Sequence, residues 1–145
     1  MSGVYNYAKA VNVARESSYV YNGTQRLCNR PSSKGGPYKV RSYAITTNGN
    51  CTALFNRVTL SPVVVAVSVG SSTGFMSYKS GILSLASCPV KRVDHAIVVV
   101  GYDANSNWKI LNSWGATWGV SGYANLAVGN TCNICQYGGY YSTLA

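Results

Sequence analysis

Acidic side chains are close to missing. Glu16, Asp94 and Asp103 stand against twelve lysines and arginines, a formal charge of +9 on 145 residues. Such a charge favours acidic partners in general (anionic polymers, acidic protein surfaces, membranes) without naming one. Lys34, Lys39 and Arg41 fall near one another, as do Lys91 and Arg92, but no aromatic-interleaved motif accompanies them. That reads as a solvated basic surface and not as a specific nucleic-acid site. Histidine occurs once, at position 95. The Cys132-Asn133-Ile134-Cys135 pair would need a second pair or more histidines to hold zinc, so no metal is expected. No apolar run reaches the ~20 residues of a bilayer span. The opening Met1-Ser2-Gly3-Val4-Tyr5 has neither the basic start nor the apolar core of a signal peptide. Internal repeats and low-complexity tracts are missing as well.

What is present describes a globular chain. Apolar residues make up 47%, and the length fits one ordinary domain with a core. Five cysteines, Cys28, Cys51, Cys88, Cys132 and Cys135, suggest an oxidising compartment and disulfide bonding. The sequons Asn22-Gly23-Thr24 and Asn50-Cys51-Thr52 agree with that compartment, though such tripeptides also arise by chance.

The most informative stretch runs from Asp94 to Gly119. Asp94-His95-Ala96-Ile97-Val98-Val99-Val100-Gly101-Tyr102 is apolar and β-branched, as a strand buried on both faces would be. Asp103 to Asn107 supplies a turn, and the run from Trp108 returns as an antiparallel strand that Asn112 closes. Such a hairpin brings His95 and Asn112 to the same end of the sheet. An asparagine carbonyl there can accept an imidazole N–H and fix the tautomer without adding charge.

These residues carry a resemblance. Asp94-His95-Ala96 and Asn112-Ser113-Trp114-Gly115-Ala116-Thr117-Trp118-Gly119 resemble the histidine and asparagine motifs of papain-like cysteine proteases. Phe75 to Ile82 is similar to the family's Phe-x-x-Tyr-x-x-Gly-Ile segment, and Tyr19-Val20-Tyr21 to its Tyr-Pro-Tyr loop, with Val20 in place of proline. The resemblance implies an α+β fold: the C-terminal half of a papain-like enzyme, an antiparallel β-barrel-like sheet with short helices, and an incomplete helical half. Residues 1–37 would be the remnant of the helical half and 38–145 the barrel half. It implies His95 as general base, Asn112 as its orienting partner and Trp114 as the cover of their hydrogen bond. Trp118 would line the leaving-group side or simply pack in the core. Gly3, Ala66, Val93 and Asp94 would contact a peptide substrate. Cys88 and Cys132 would form the barrel-half disulfide, closing a loop of about 45 residues that stabilises by roughly 4 kcal/mol in the chain-entropy model. No cofactor is implied.

Along the chain, helices are expected over Gly3 to Glu16 and Asn50 to Leu60, the second capped by Asn50 or Thr52. Strands are expected over Tyr38 to Ile45, Val63 to Val69, Tyr123 to Val128 and the tail from Tyr137. Pro31 to Pro37 reads as a loop.

One part of the pattern is not met. In the family the nucleophilic cysteine lies in a Gln-x-x-x-x-x-Cys-Gly-x-Cys-Trp stretch, and none of the five cysteines here is set in it. The chain would then hold base and orienter without nucleophile or oxyanion donor, and alone would be inactive. Three expectations follow: one segment of a cysteine peptidase, a non-catalytic structural or binding protein that packs its barrel half into a larger assembly, or a small basic module on an acidic polymer. The partners would be the missing N-terminal segment, a second copy or a larger assembly. The resemblance implies a secreted, lysosomal or vacuolar setting, with Cys28 lacking its usual partner and Cys51 and Cys135 unassigned.

Overall fold

The computed structural model describes residues 1–25, 27, 36, 38–70, 73–88 and 92–144. Cys28, Lys34, Lys91 and, apart from Gly36, the Pro31 to Pro37 loop lie outside the described residues. The chain divides into two compact units, residues 1–44 with 142–145 and residues 45–141.

In the first unit α1 spans Ser2–Ala10. The helix expected to reach Glu16 stops early. Val11 is already extended at φ −131° and ψ 154°, and Val13 forms an antiparallel bridge to Tyr38, its N–H donating to the Tyr38 carbonyl at 2.8 Å. Two β-branched valines this close together favour the extended chain once a partner strand is offered. β1, Val40–Ile45, begins two residues later than expected. Tyr5 of α1 stacks on Tyr43 at 5.2 Å, and partial burial pushes the Tyr5 hydroxyl above the usual tyrosine range.

In the second unit α2 spans Cys51–Val58. Asn50 is its cap, accepting the Ala53 N–H at 2.9 Å, while Thr52 lies inside the helix. The helix buries Leu54 and Val58 and ends before Pro62 is reached. β2 is Val63–Val67, β3 Ile82–Leu83, β4 His95–Tyr102, β5 Trp108–Leu111, β6 Tyr123–Leu126 and β7 Tyr140–Leu144. A four-residue helix, α3, covers Thr73–Met76. The strands lie in the order β7-β2-β4-β5-β6-β3. All of these pairings are antiparallel except β3 with β6, which is parallel, so the sheet is mixed.

Register explains which side chains are buried. Val63, Val65 and Val67 lie opposite Val99, Ile97 and His95. Val63, Val65, Val67 and Val99 are 0% exposed and Ile97 is 2%. Trp108, Ile110, Ala124 and Leu126 continue this core face across β5 and β6. The other face holds Val64, Ala66, Ala96, Val98, Leu111 and Tyr123, each partly or fully exposed. The expectation that β4 is buried on both faces is corrected accordingly. An unbroken apolar run hides a period of two, because alanine and valine serve on either face. Between Val99 and Gly101 the β4–β5 register shifts by one residue, a bulge that turns Tyr102 onto Phe55, with ring centroids 3.9 Å apart.

Two disulfides join Cys88 to Cys132 and Cys51 to Cys135. The second gives the unassigned cysteines each other as partners and ties the start of α2 to the turn after β6. At Cys132 and Asn133 the backbone is left-handed, with φ of 54° and 61°. Asparagine is among the side chains that tolerate that conformation best.

Candidate active site

The alternation of β4 and β5 places His95 and Asn112 on one face of the sheet. His95 is an odd-numbered residue in phase with Ile97 and Val99, and Asn112 is in phase with Ile110 and Trp108. Their side chains meet at the sheet end, His95 Nε2 lying 2.8 Å from Asn112 Oδ1. Asn112 is 8% exposed.

The same Asn112 oxygen accepts the Ser113 backbone N–H at 2.8 Å. A backbone N–H only donates, so the atom facing it is the carbonyl oxygen and not the amide nitrogen. That oxygen can only accept from His95, so Nε2 carries the proton. In the neutral ring the lone pair is then on Nδ1. The site therefore holds a base with a defined tautomer. Asn112 Nδ2 is buried with no hydrogen-bond partner among the described residues.

Aromatic rings surround the pair. Trp114 lies 4.9 Å from the imidazole at an interplanar angle of 34° and stays 39% exposed, one side on the histidine and the other in solvent. Trp118 is 7% exposed, and its indole N–H donates to the Phe75 carbonyl at 3.1 Å. Trp118 is thus a packed core side chain with its one polar atom satisfied. Gly119 follows in a left-handed conformation at φ 57°, where an added Cβ would collide with the Tyr123 carbonyl oxygen.

Asp94 is engaged with the backbone. Its carboxylate accepts the N–H groups of Val69 at 2.9 Å and Gly70 at 2.7 Å, and its own N–H donates to the Val67 carbonyl. It pins the end of β2 beside the start of β4. Val93 precedes it, half-buried, and Ala66 faces Ala96 on the outer side of the sheet. Gly3 lies in α1 of the first unit, where an added Cβ would meet nothing within 4 Å. Asn22 is exposed, its side-chain oxygen accepting the Thr24 N–H and hydroxyl, and Asn50 caps α2.

Sequence reasoning missed two contributors. Ser113 acts through its backbone, which no side-chain pattern reveals. Phe75 was visible within a motif, but nothing in the motif showed that its ring reaches His95 at 6.2 Å. The four described cysteines, Cys51, Cys88, Cys132 and Cys135, are all in disulfides, so none of them is a thiol.

An α+β unit whose sheet end carries a histidine held by an asparagine amide defines a class of papain-like folds. The chain belongs to the papain family of cysteine proteases, whose family model matches residues 1–142. It is 38% identical over 142 residues to a cathepsin L-like proteinase of Fasciola hepatica, which covers 94% of this chain but only 43% of that protein. Among solved structures it resembles the Carica candamarcensis cysteine protease CMS1MS2, with a TM-score of 0.83, 29% identity and coverage of 96% of this chain and 65% of that one. It also resembles digestive procathepsin L 3 of Tenebrio molitor larval midgut, with a TM-score of 0.85, 27% identity and coverage of 99% and 48%. The chain thus spans less than half the length of the Fasciola relative. The two disulfides and the cathepsin-type relatives fit a secreted or lysosomal protein. Among the described residues no helix is long and apolar enough to cross a membrane.

Proposed function

We propose that this chain supplies the histidine and asparagine of a papain-type cysteine peptidase site, and that the thiolate comes from a polypeptide segment outside it. The observation that carries this reading is the single Asn112 oxygen shared by His95 and the Ser113 N–H, which commits Nε2 as donor and leaves Nδ1 as the base. A thiol brought to Nδ1 would lose its proton there, giving a thiolate–imidazolium pair. The thiolate would attack a peptide carbonyl, and the imidazolium would return the proton to the leaving amine. Asn112 stays neutral throughout and orients the ring, while Trp114 keeps water off their hydrogen bond. Ala66, Val93 and Asp94 of the second unit would border the bound peptide. Asn22 and Asn50 would be glycosylated in a secretory compartment, Asn22 being the more open because Asn50 is occupied as a helix cap.

In this scheme the chain alone would be without the motif cysteine and the oxyanion donor, and triad members act as a unit, so little acceleration would remain. The partner would cover the outer sheet face of Val64, Ala66, Ala96, Val98 and Leu111, whose exposure also favours the second reading, a non-catalytic building block of a larger assembly. The test is a fluorogenic peptide assay on the pure chain and on the chain refolded with a segment that carries the family's Gln-x-x-x-x-x-Cys-Gly-x-Cys-Trp stretch. The expected result is turnover only in the mixture, blocked by thiol-directed inhibitors and by His95→Ala. Inhibitor-sensitive turnover by the chain alone overturns the division of labour. A stable, folded mixture with no turnover favours the structural reading.

A further inference from the structure

We propose that Phe75 is the positioning residue that holds the His95 ring in its working orientation. The imidazole turns on a broad two-fold torsion, so one hydrogen bond at Nε2 leaves the ring plane free to tilt about that contact. Three rings remove this freedom. Phe75 is 0% exposed and meets His95 at 6.2 Å and 78°. It also meets Trp114 at 5.7 Å and 85°. Trp114 lies 4.9 Å from His95, so the three rings form a closed triangle. The histidine cannot tilt without displacing one of two rings that are themselves in contact.

The backbone of Phe75 completes the arrangement. Its carbonyl accepts the Trp118 indole N–H at 3.1 Å, and Trp118 packs on Phe75 at 5.3 Å and on Trp114 at 5.6 Å. One residue thus anchors both tryptophans and the base. It sits on α3, outside the β4–β5 hairpin that carries His95 and Asn112, so the ring is braced from a separate element. A residue that only filled the core would be interchangeable with an aliphatic side chain of similar volume. A brace requires the flat edge of an aromatic ring.

The inference rests on the peptidase reading for its purpose, but its test reads His95 directly and needs no thiolate. The chain has a single histidine, so an imidazole nitrogen–proton correlation spectrum contains one ring. In the unaltered chain Nε2–H should be visible and slow to exchange, with one tautomer. Phe75→Leu should speed that exchange by about ten-fold, the factor that the loss of one aromatic pair corresponds to, and should mix the tautomers. Val99→Ala, a core truncation away from the site, should leave the ring signals unchanged. If Phe75→Leu fails to fold, Phe75→Met keeps the volume and is read in the same way. Unchanged exchange and tautomer in the folded Phe75 variant overturn the proposal. So does an equal change in Val99→Ala, which would reveal general loosening. Loss of the slow Nε2–H in the Phe75 variant alone supports it, whatever the peptidase assay returns.

Discussion

Ser113 shapes the site without using its side chain, and Asn112 is where that influence becomes measurable. Asn112 accepts two hydrogen bonds through one oxygen and leaves its amide nitrogen buried without a partner among the described residues. Asn112→Ala therefore removes two favourable contacts and one unfavourable burial, and should cost only about 1 kcal/mol. Denaturant melts should show a nearly unchanged fold, while the His95 Nε2–H becomes exchangeable. An unfolded variant would make Asn112 a structural residue first. At this scale the legible residues were those whose chemistry is rare in the chain: the one histidine, and an asparagine inside a tryptophan-rich motif. Phe75 and Ser113 were not legible, because a ring contact and a backbone donor leave no mark in residue type.

The hairpin of β4 and β5 depends on its turn as much as on its strands. Asp103 accepts the N–H groups of Asn105 and Asn107, each at 2.9 Å, and the side-chain amide of Asn107 at 2.9 Å. The Asn107 side chain, then its backbone N–H, holds the Asp103 carboxyl below the usual range. Since the folded value is depressed, the contribution is complete above the unfolded value of about 4 and is lost as pH falls through the folded value. Asp103→Asn should lower stability somewhat near pH 7 and flatten the acid limb of a stability–pH curve, the two chains converging at low pH. An acid limb as steep as before would show that the turn does not depend on this charge. Six of the seven strands were readable from pattern, as was a cap at Asn50 or Thr52; the two-residue β3, parallel to β6, was not. The end of α1 was not, because the bridge that draws Val13 out of the helix comes from Tyr38, far along the sequence. The two faces of β4 were not readable either, since small apolar residues suit both.

At the scale of the whole chain, the second unit is held by cross-links between distant positions. Cys88–Cys132 and Cys51–Cys135 span 44 and 84 residues, and the larger loop encloses the smaller. Each alone would stabilise by roughly 4–5 kcal/mol in the chain-entropy model, and the pair by less than the sum, since closing one loop shortens the other. Peptide mapping without reduction should recover these two pairs. A fragment joining Cys88 to any residue but Cys132 would redraw the second unit. The Cys88–Cys132 pair was implied by resemblance alone. The Cys51–Cys135 pair needed the fold, which brings residues 84 positions apart to a Cα separation of 5.1 Å.

The irregularity between Val99 and Gly101 has a bearing on how the gene can change. β4 holds one residue more than its partner strand requires, for the register steps from Val99–Ile110 to Gly101–Lys109. A single codon lost anywhere from Ala96 to Val100 can be absorbed by straightening the strand. The β4–β5 register is then continuous and His95 still faces Asn112, while the part of β4 beyond the deletion steps by one residue along β2, with which it pairs without a break. The residues that slide are alanine, isoleucine and valine, so neither face gains a polar side chain. A second loss has no slack left to draw on and carries His95 to the opposite side of the sheet, away from its amide. The strand thus holds a reserve of one deletion between its histidine end and its turn. Lineages that have spent it should show an unbulged strand with the histidine still in place.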